Sequence, residues 1–150
     1  MISSKTMNAL EAVTQEEIQE VKNRLDNWGK SSLTITSVAA HIEKIKNQLN
    51  QAEELRANGK LSEEEAEKVI AILQMRIDSL LDVKTNAFLN EVEMEDYISR
   101  LDELLQSVLK LKYSDRYGSD FICRKLHISR ATFFRKQDRA FREIALMMRE

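Results

Sequence analysis

The sequence of 150 residues is long enough for one ordinary domain or two small ones, and its formal net charge is −2. Charged residues make up 32% of the chain, aromatic residues 6%, and proline is absent; this composition predicts an all-α fold. The single cysteine excludes an intramolecular disulfide framework, and the apolar runs fall short of the ~20 residues that span a bilayer. Residues 1–10 lack the apolar segment of a signal peptide, so we expect a soluble intracellular protein without a membrane partner.

The first predicted helix covers residues 7–28. Its apolar positions are Met7, Leu10, Val13, Ile18, Val21, Leu25 and Trp28, separated by steps of three and four with a single step of five. Gly29 follows directly, at a position where a left-handed residue commonly ends a helix. We therefore expect this helix to end at Gly29 and a second one to begin within residues 31–37.

The second and third helices are predicted to form a hairpin. The apolar stripes are Val38, Ile42, Ile45, Leu49, Ala52 and Leu55 in the second helix, and Val69, Leu73, Ile77, Leu80, Leu81 and Phe88 in the third. Asn58-Gly59 is a turn pair, and Ser62 with Glu65 has the spacing of a capping box. Because such narrow stripes bury best against another long helix, we expect self-association, with a dimer favoured.

A fourth helix is predicted to follow, with a broad apolar face between Tyr97 and Leu111. Asn90, three residues before Glu93, can cap its start, or the third helix can continue through Asn90. These elements divide the chain into an elongated helical hairpin or coiled-coil region, residues 1–90, and a C-terminal module, residues 91–150. The first would serve oligomerisation and partner binding.

Residues 119–148 have the pattern of a helix-turn-helix. Ile122 and Leu126 form the inward face of a short helix that begins near Ser119 or Asp120, and residues 127–129 form a tight connection. Ser129 is a good N-cap for a helix from Arg130 to near Met148, whose buried stripe is Phe133, Ala140, Phe141, Ile144 and Met148. Cys123 is small where the two helices cross, and Ile128 fills the core beside the turn.

The charge of this segment predicts an anionic partner. Residues 1–112 contain 14 basic and 20 acidic side chains, whereas residues 113–150 contain 9 and 5, and residues 122–142 contain seven basic side chains against one acid, Asp138. The outward face at the start of the last helix, where a recognition helix reads bases in the major groove, carries Arg130, Ala131, Phe134 and Arg135. Flanking candidates for contacts to the DNA backbone are Arg124, Lys125, Ser129, Thr132, Lys136, Arg139 and Arg142.

The stretch "LLQSVLKLKYSDRYGSDFICRKLHISRATFFRKQDRAF" resembles, without gaps, the region-4-type helix-turn-helix of sigma factors. More narrowly, it is similar to the RinA/ArpU-type transcriptional regulators of phages of Gram-positive bacteria. The resemblance implies a DNA-binding activator of late phage genes that acts in the bacterial cytoplasm on double-stranded DNA, with RNA polymerase as a further partner. Two positions depart from the usual pattern: Gly118 stands where Ser or Thr caps, and His127 where the turn has Gly or Asn, which puts a left-handed turn residue in doubt.

Two other functions remain open on the sequence. A small terminase-type packaging subunit also joins a helix-turn-helix to a helical hairpin, although its DNA module usually comes first. A helical adaptor could use the basic C-terminal helix to bind protein or RNA. Neither catalysis nor a cofactor is expected: Cys123 is a small core residue, His41 and His127 lack partners at metal-ligand spacing, and we find no nucleophile paired with a base.

Overall fold

The computed structural model describes residues 4–150, and all regular secondary structure within them is helical, which confirms the all-α prediction. The α-helices are α1 (Ser4–Glu11), α2 (Gln15–Ala57), α3 (Glu63–Ser99), α4 (Glu103–Leu109), α5 (Ser119–Leu126) and α6 (Arg130–Met148). A π-helical turn, Lys110–Ser114, follows α4 directly. None of the helices in this part of the chain combines the length and apolar character needed to span a bilayer.

The first predicted helix is interrupted between α1 and α2. Thr14 begins α2 with a capping box, in which the Thr14 amide donates to Glu17 Oε1 at 3.0 Å and the Glu17 amide donates to Thr14 Oγ1 at 3.1 Å. The break falls within the five-residue step from Val13 to Ile18, so the slack in the apolar stripe coincides with the end of a helix.

The prediction that a helix ends at Gly29 is wrong, because α2 continues through Gly29 and through residues 31–37 to Ala57. A β-carbon at Gly29 would lie 2.8 Å from the carbonyl carbon of Tyr113, and closer still to its oxygen. Gly29 therefore permits a close approach between α2 and the π-helical turn, which is a tertiary role rather than a helix-ending one.

One compact unit comprises residues 31–89, the hairpin of α2 and α3. The predicted turn is confirmed: α2 ends at Ala57, Gly59 has a φ of 75°, and Ser62 and Glu65 form the expected capping box. The core of this unit consists of Val38, Ile42, Ile45, Leu73 and Ile77, with Leu49 and Leu80 packed against it.

The helix α3 runs through Asn90 and ends at Ser99, so the expected continuous helix from Tyr97 to Leu111 is interrupted. Asp102 caps α4 by accepting a hydrogen bond from the Leu105 amide at 3.0 Å. Asn90 instead joins two helices, since it accepts from Arg24 Nε at 2.8 Å and donates to the Arg24 carbonyl at 3.0 Å.

The other compact unit comprises residues 4–30 together with 90–150. Its largest core cluster is Val13, Ile18, Val21, Leu25, Met94, Ile98, Leu101, Leu105, Leu109, Tyr113, Ala140, Phe141, Ile144 and Ala145. By contacts, residues 4–30 thus group with the C-terminal helices, whereas the sequence analysis placed them with the hairpin. The hairpin unit ends at residue 89.

Candidate nucleic-acid interface

The helices α5 and α6 have the predicted boundaries and are joined by residues 127–129. His127 adopts the left-handed conformation, with φ 56° and ψ 44°. The turn residue is therefore left-handed even though it is His rather than the usual Gly or Asn, which the sequence had put in doubt. The His127 amide donates to the Arg124 carbonyl at 3.4 Å, and the Ile128 amide donates to the Cys123 carbonyl at 3.0 Å. These two bonds make a Schellman turn, which satisfies carbonyls at the end of α5 and redirects the chain into α6.

A small apolar core holds the two helices in place. Val108, Leu111, Ile122 and Phe133 are buried together, and Cys123, Leu126 and Ile128 pack against them while partly buried. The predicted inward positions of Ile122 and Phe133 are confirmed, and both side chains are fully buried. Farther along α6, Ala140, Phe141 and Ile144 are buried as predicted, and Met148 is half-buried. Burial of this stripe fixes which face of α6 points outward.

Ser129 caps α6, and its hydroxyl begins a short polar chain on the helix surface. Ser129 Oγ accepts from the Thr132 amide at 3.1 Å and donates to Thr132 Oγ1 at 2.9 Å. Thr132 Oγ1 also accepts from Arg135 Nη2 at 3.0 Å. Two predicted backbone contacts, Ser129 and Thr132, thus order the helix start and hold the Arg135 side chain along it.

The four predicted base-reading residues, Arg130, Ala131, Phe134 and Arg135, are all exposed on α6. The Arg130 guanidinium lies 5.3 Å from the ring centroid of Phe134, within the range of a cation–π contact. The ring of Phe134 is 43% exposed and packs edge-on against the buried ring of Phe133, with centroids 5.1 Å apart. Arg130 and Phe134 are therefore presented together on the outward face.

One acidic residue that the sequence analysis did not weigh lies beside this face. Asp120, in the first turn of α5, accepts from Arg130 Nη1 at 3.1 Å, and both side chains are largely exposed. The two residues are ten positions apart and on different helices, so the contact depends on the turn geometry rather than on local spacing.

The five basic side chains among the predicted backbone contacts fall into two groups. Arg124 and Lys125 are exposed at the end of α5, Lys136 is half-buried on α6, and within residues 4–150 none of the three forms an ion pair. Arg139 and Arg142 are engaged instead by acidic partners on α6 itself, with Arg139 Nε 3.6 Å from Glu143 Oε1 and Arg142 Nε 2.8 Å from Asp138 Oδ2. The first group is the one whose positive charge is freely available to an anion.

Arg142 also holds α1 against α6. Its Nη1 donates to the carbonyl of Leu10 at 2.9 Å, and its side chain is 22% exposed. Leu10 is buried, although Met7 on the same short helix is exposed. The participation of α1 was missed by the sequence analysis, because a contact between residues 132 positions apart leaves no local pattern.

The charges at this end of the molecule suit an anion better than a metal ion. The described residues contain no group of three or more His, Cys, Asp or Glu side chains that could hold a metal. The amino end of α6 has its own partial positive charge, which adds to that of Arg130 and Arg135. Exposed guanidinium groups beside a helix amino end make the local charge positive, which favours a negatively charged ligand.

Comparison with known proteins places these residues in a family. No curated protein and no solved structure matches the chain. A family described as "Protein of unknown function (DUF1492)" matches residues 70–145, which include most of α3, all of α4 and α5, and α6 as far as Ala145. The matched range contains every predicted DNA-contacting residue. Since it covers just over half of the 150 residues, the chain belongs to the DUF1492 family.

Proposed function

We propose that the protein is a sequence-specific DNA-binding regulator of transcription that inserts the amino-terminal half of α6 into the major groove. The observation that carries this proposal is the outward presentation of Arg130, Ala131, Phe134 and Arg135 directly above the buried Phe133. A helix that follows a short turn and exposes its first two turns has the geometry with which helix-turn-helix proteins read bases.

The chemistry of the exposed side chains matches base edges. An arginine can donate two hydrogen bonds to O6 and N7 of guanine, and Arg130 and Arg135 are both exposed. Phe134 offers an apolar ring that can contact a thymine methyl group, and the adjacent Arg130 guanidinium partly covers that ring. Ala131, which is small, lets the helix approach the floor of the groove.

The side chains on the flanks suit the DNA backbone. Arg124 and Lys125 at the end of α5, and Lys136 on α6, have no ion pairs within residues 4–150 and can neutralise phosphates. Ser129 and Thr132 lie at the amino end of α6, where main-chain N–H groups also attract a phosphate. Arg139 and Arg142 would contribute less, because each already lies against a carboxylate.

The biological role rests on the resemblance to RinA/ArpU-type phage regulators. By that resemblance the protein activates late phage genes in the bacterial cytoplasm, with RNA polymerase as a partner. A single small module reads few base pairs, so two copies would present two α6 helices to spaced half-sites. The hairpin of residues 31–89 would serve the self-association that this requires.

Fluorescence anisotropy of a labelled duplex of random sequence tests the DNA-binding step. We expect the full chain to bind with a steep salt dependence, and Arg130→Ala/Arg135→Ala to bind at least roughly tenfold more weakly, because each lost arginine contact weakens binding. Lys44→Ala/Lys46→Ala removes the same charge from exposed positions of the hairpin and should bind as the unchanged chain does. Equal binding by the two double variants, or no binding by the full chain at low salt, would contradict the proposal.

A further inference from the structure

A groove of about 700 Å³ lies between α1 and α6, within the unit that contains residues 4–30 and 90–150. Met7 and Leu10 line it from α1, and Arg135, Lys136 and Arg139 line it from α6. Its volume falls within the roughly 300–1,000 Å³ that is usual for small-molecule sites. The groove begins beside the proposed base-reading face and extends along α6 toward Arg142.

The α1 side of the groove is apolar. Met7 is 46% exposed, and Leu10 also lines the groove although most of its side chain is buried. A flexible, polarisable methionine side chain adapts to apolar surfaces of irregular shape. The aliphatic stems of the basic residues opposite extend this apolar surface and carry their charges at the ends. The groove thus offers an apolar wall and a cationic wall to the same ligand.

The basic side chains on the α6 side of the groove form few hydrogen bonds or ion pairs with other residues. Arg135 donates to the neutral hydroxyl of Thr132, and Lys136 forms neither a hydrogen bond nor an ion pair with any residue from 4 to 150. Arg139 Nε is buried and has no hydrogen-bond partner among the described residues, since Glu143 Oε1 is 3.6 Å away. The Arg139 side chain as a whole is 34% exposed, lines the groove and forms no hydrogen bond with a described residue, so an anion in the groove could accept one from it.

Two carboxylates limit how much negative charge the groove can accept. Asp138 is paired with Arg142, whose other nitrogen is bound to the Leu10 carbonyl, so those two charges offset each other. Glu11 also lines the groove and is exposed. Arg139 is likewise offset by Glu143, 3.6 Å away. Arg135 and Lys136 then stand against Glu11, so the groove favours a ligand of one negative charge over a polyphosphate.

We propose that this groove binds an amphipathic monoanion, a carboxylate or sulfonate with an apolar body. The acidic group would lie between Lys136 and Arg139, and the apolar body would cover Met7 and Leu10. A DNA phosphate would use the cations but not the apolar wall, and for this reason a small ligand fits the groove better. The site does not depend on the proposed function. If that function holds, a bound ligand would also compete with DNA for Arg135 and Lys136.

Isothermal titration of the full chain with decanoate, without DNA, tests the site. We expect saturable binding of one decanoate per chain, and at least roughly tenfold weaker binding by Lys136→Gln and by Met7→Gln, which remove one cation and the apolar wall. Both positions have accessible side chains, so these variants should fold. The matched control Arg124→Gln changes a cation on α5 outside the groove and should bind decanoate as the unchanged chain does.

Absence of saturable binding at millimolar decanoate, or equal binding by all variants, would overturn the site. Inorganic phosphate that binds as tightly as decanoate would show that the site is not amphipathic.

Addition of decanoate to the chain–duplex complex then tests whether the two sites overlap. Release of DNA by the unchanged chain, but not by Met7→Gln, is the expected result. Decanoate that binds in the groove without releasing DNA would contradict competition and leave the site itself supported. A chain that binds decanoate but no duplex would contradict the proposed function alone.

Discussion

Gly29 sets how closely α2 can approach the π-helical turn at residues 110–114. In an exposed helix, glycine is about 1 kcal/mol less favourable than alanine, so its presence within α2 needs a compensating reason. That reason is the Tyr113 carbonyl group, which occupies the space of the missing β-carbon. Backbone atoms at both sides of the contact leave little freedom to relax.

We predict that Gly29→Ala destabilises the protein by about 1–3 kcal/mol, because the clash outweighs the gain in helix propensity. Urea unfolding followed by circular dichroism measures this change. Gly118→Ala is the matched control, since nothing lies within 4 Å of a β-carbon there and its φ of −74° is open to any residue. If Gly29→Ala proved as stable as the control, the close approach of α2 to Tyr113 would be wrong.

Asp120 opposes the positive charge of the proposed DNA-binding face. Its ion pair with Arg130 is largely exposed and therefore weak, but DNA bound as proposed would have to displace it and would then lie close to the carboxylate. We predict that Asp120→Asn raises the affinity for a duplex by roughly two- to fivefold. Anisotropy titrations at several salt concentrations provide the measurement.

Asp115→Asn makes the same change of charge at an exposed position outside α5 and should raise the affinity less. If Asp120→Asn weakened binding, Asp120 would be positioning Arg130 for DNA instead of competing for it.

At the scale of helices, an ion pair joins the end of α6 to the start of α2. Arg149 Nε and Nη2 donate to the two carboxylate oxygens of Glu17 at 2.7 and 2.8 Å. These bonds, with a further one from the Thr14 amide, lower the pKa of Glu17 from 4.5 to about 2. A lowered pKa in the folded state means that the ionised carboxylate stabilises the fold above pH 4.5, and that this contribution is lost as the pH falls toward 2.

We therefore predict that Glu17→Gln is less stable than the unchanged chain at pH 6, and that the difference shrinks as the pH falls from 4.5 toward 2. Urea midpoints at a series of pH values test this. Glu20→Gln, an exposed position on the same helix, should show a smaller and flatter difference. A difference for Glu17→Gln that is independent of pH would show that the Glu17 charge does not contribute.

Local chemistry predicted several elements correctly, and tertiary contacts decided the others. The turn at Asn58-Gly59, the cap at Ser129 and the boundaries of α5 and α6 follow from residue types within a few positions. The break before α2 also had a local signal, because Thr14 and Glu17 have capping-box spacing. The continuation of α2 through Gly29 had none, since it depends on Tyr113, far along the chain.

The candidate site shows the same division. The outward face of α6 follows from helical periodicity once Phe133 is placed inward. Periodicity does not predict the hydrogen bond of Arg142 to the Leu10 carbonyl or that of Arg130 to Asp120. Each joins two helices whose packing the sequence leaves open. The sequence therefore predicts where positive charge is exposed better than it predicts which charges are already paired.

For the whole molecule, self-association remains a prediction. Leu81 and Phe88, seven residues apart on α3, are 44% and 55% exposed in the hairpin unit, and residues at this spacing share a helix face. We predict a dimer in sedimentation experiments at micromolar concentrations, and a monomer for Leu81→Gln/Phe88→Gln.

Met75→Gln provides the control for this test, because Met75 is exposed about 120° around α3 from Leu81 and should leave the dimer intact. A monomeric unchanged chain at these concentrations would contradict the prediction. A Leu81→Gln/Phe88→Gln variant that remains dimeric would contradict it as well.

The most direct test of the central claim is an NMR titration of the isotope-labelled full chain with a duplex. The claim is that DNA contacts the start of α6, so the largest amide shifts should fall within residues 129–136 and at the end of α5. Residues 31–89, the hairpin unit, should change little. Shifts that concentrate in the hairpin, or spectra that stay unchanged at saturating duplex, would contradict DNA recognition by α6.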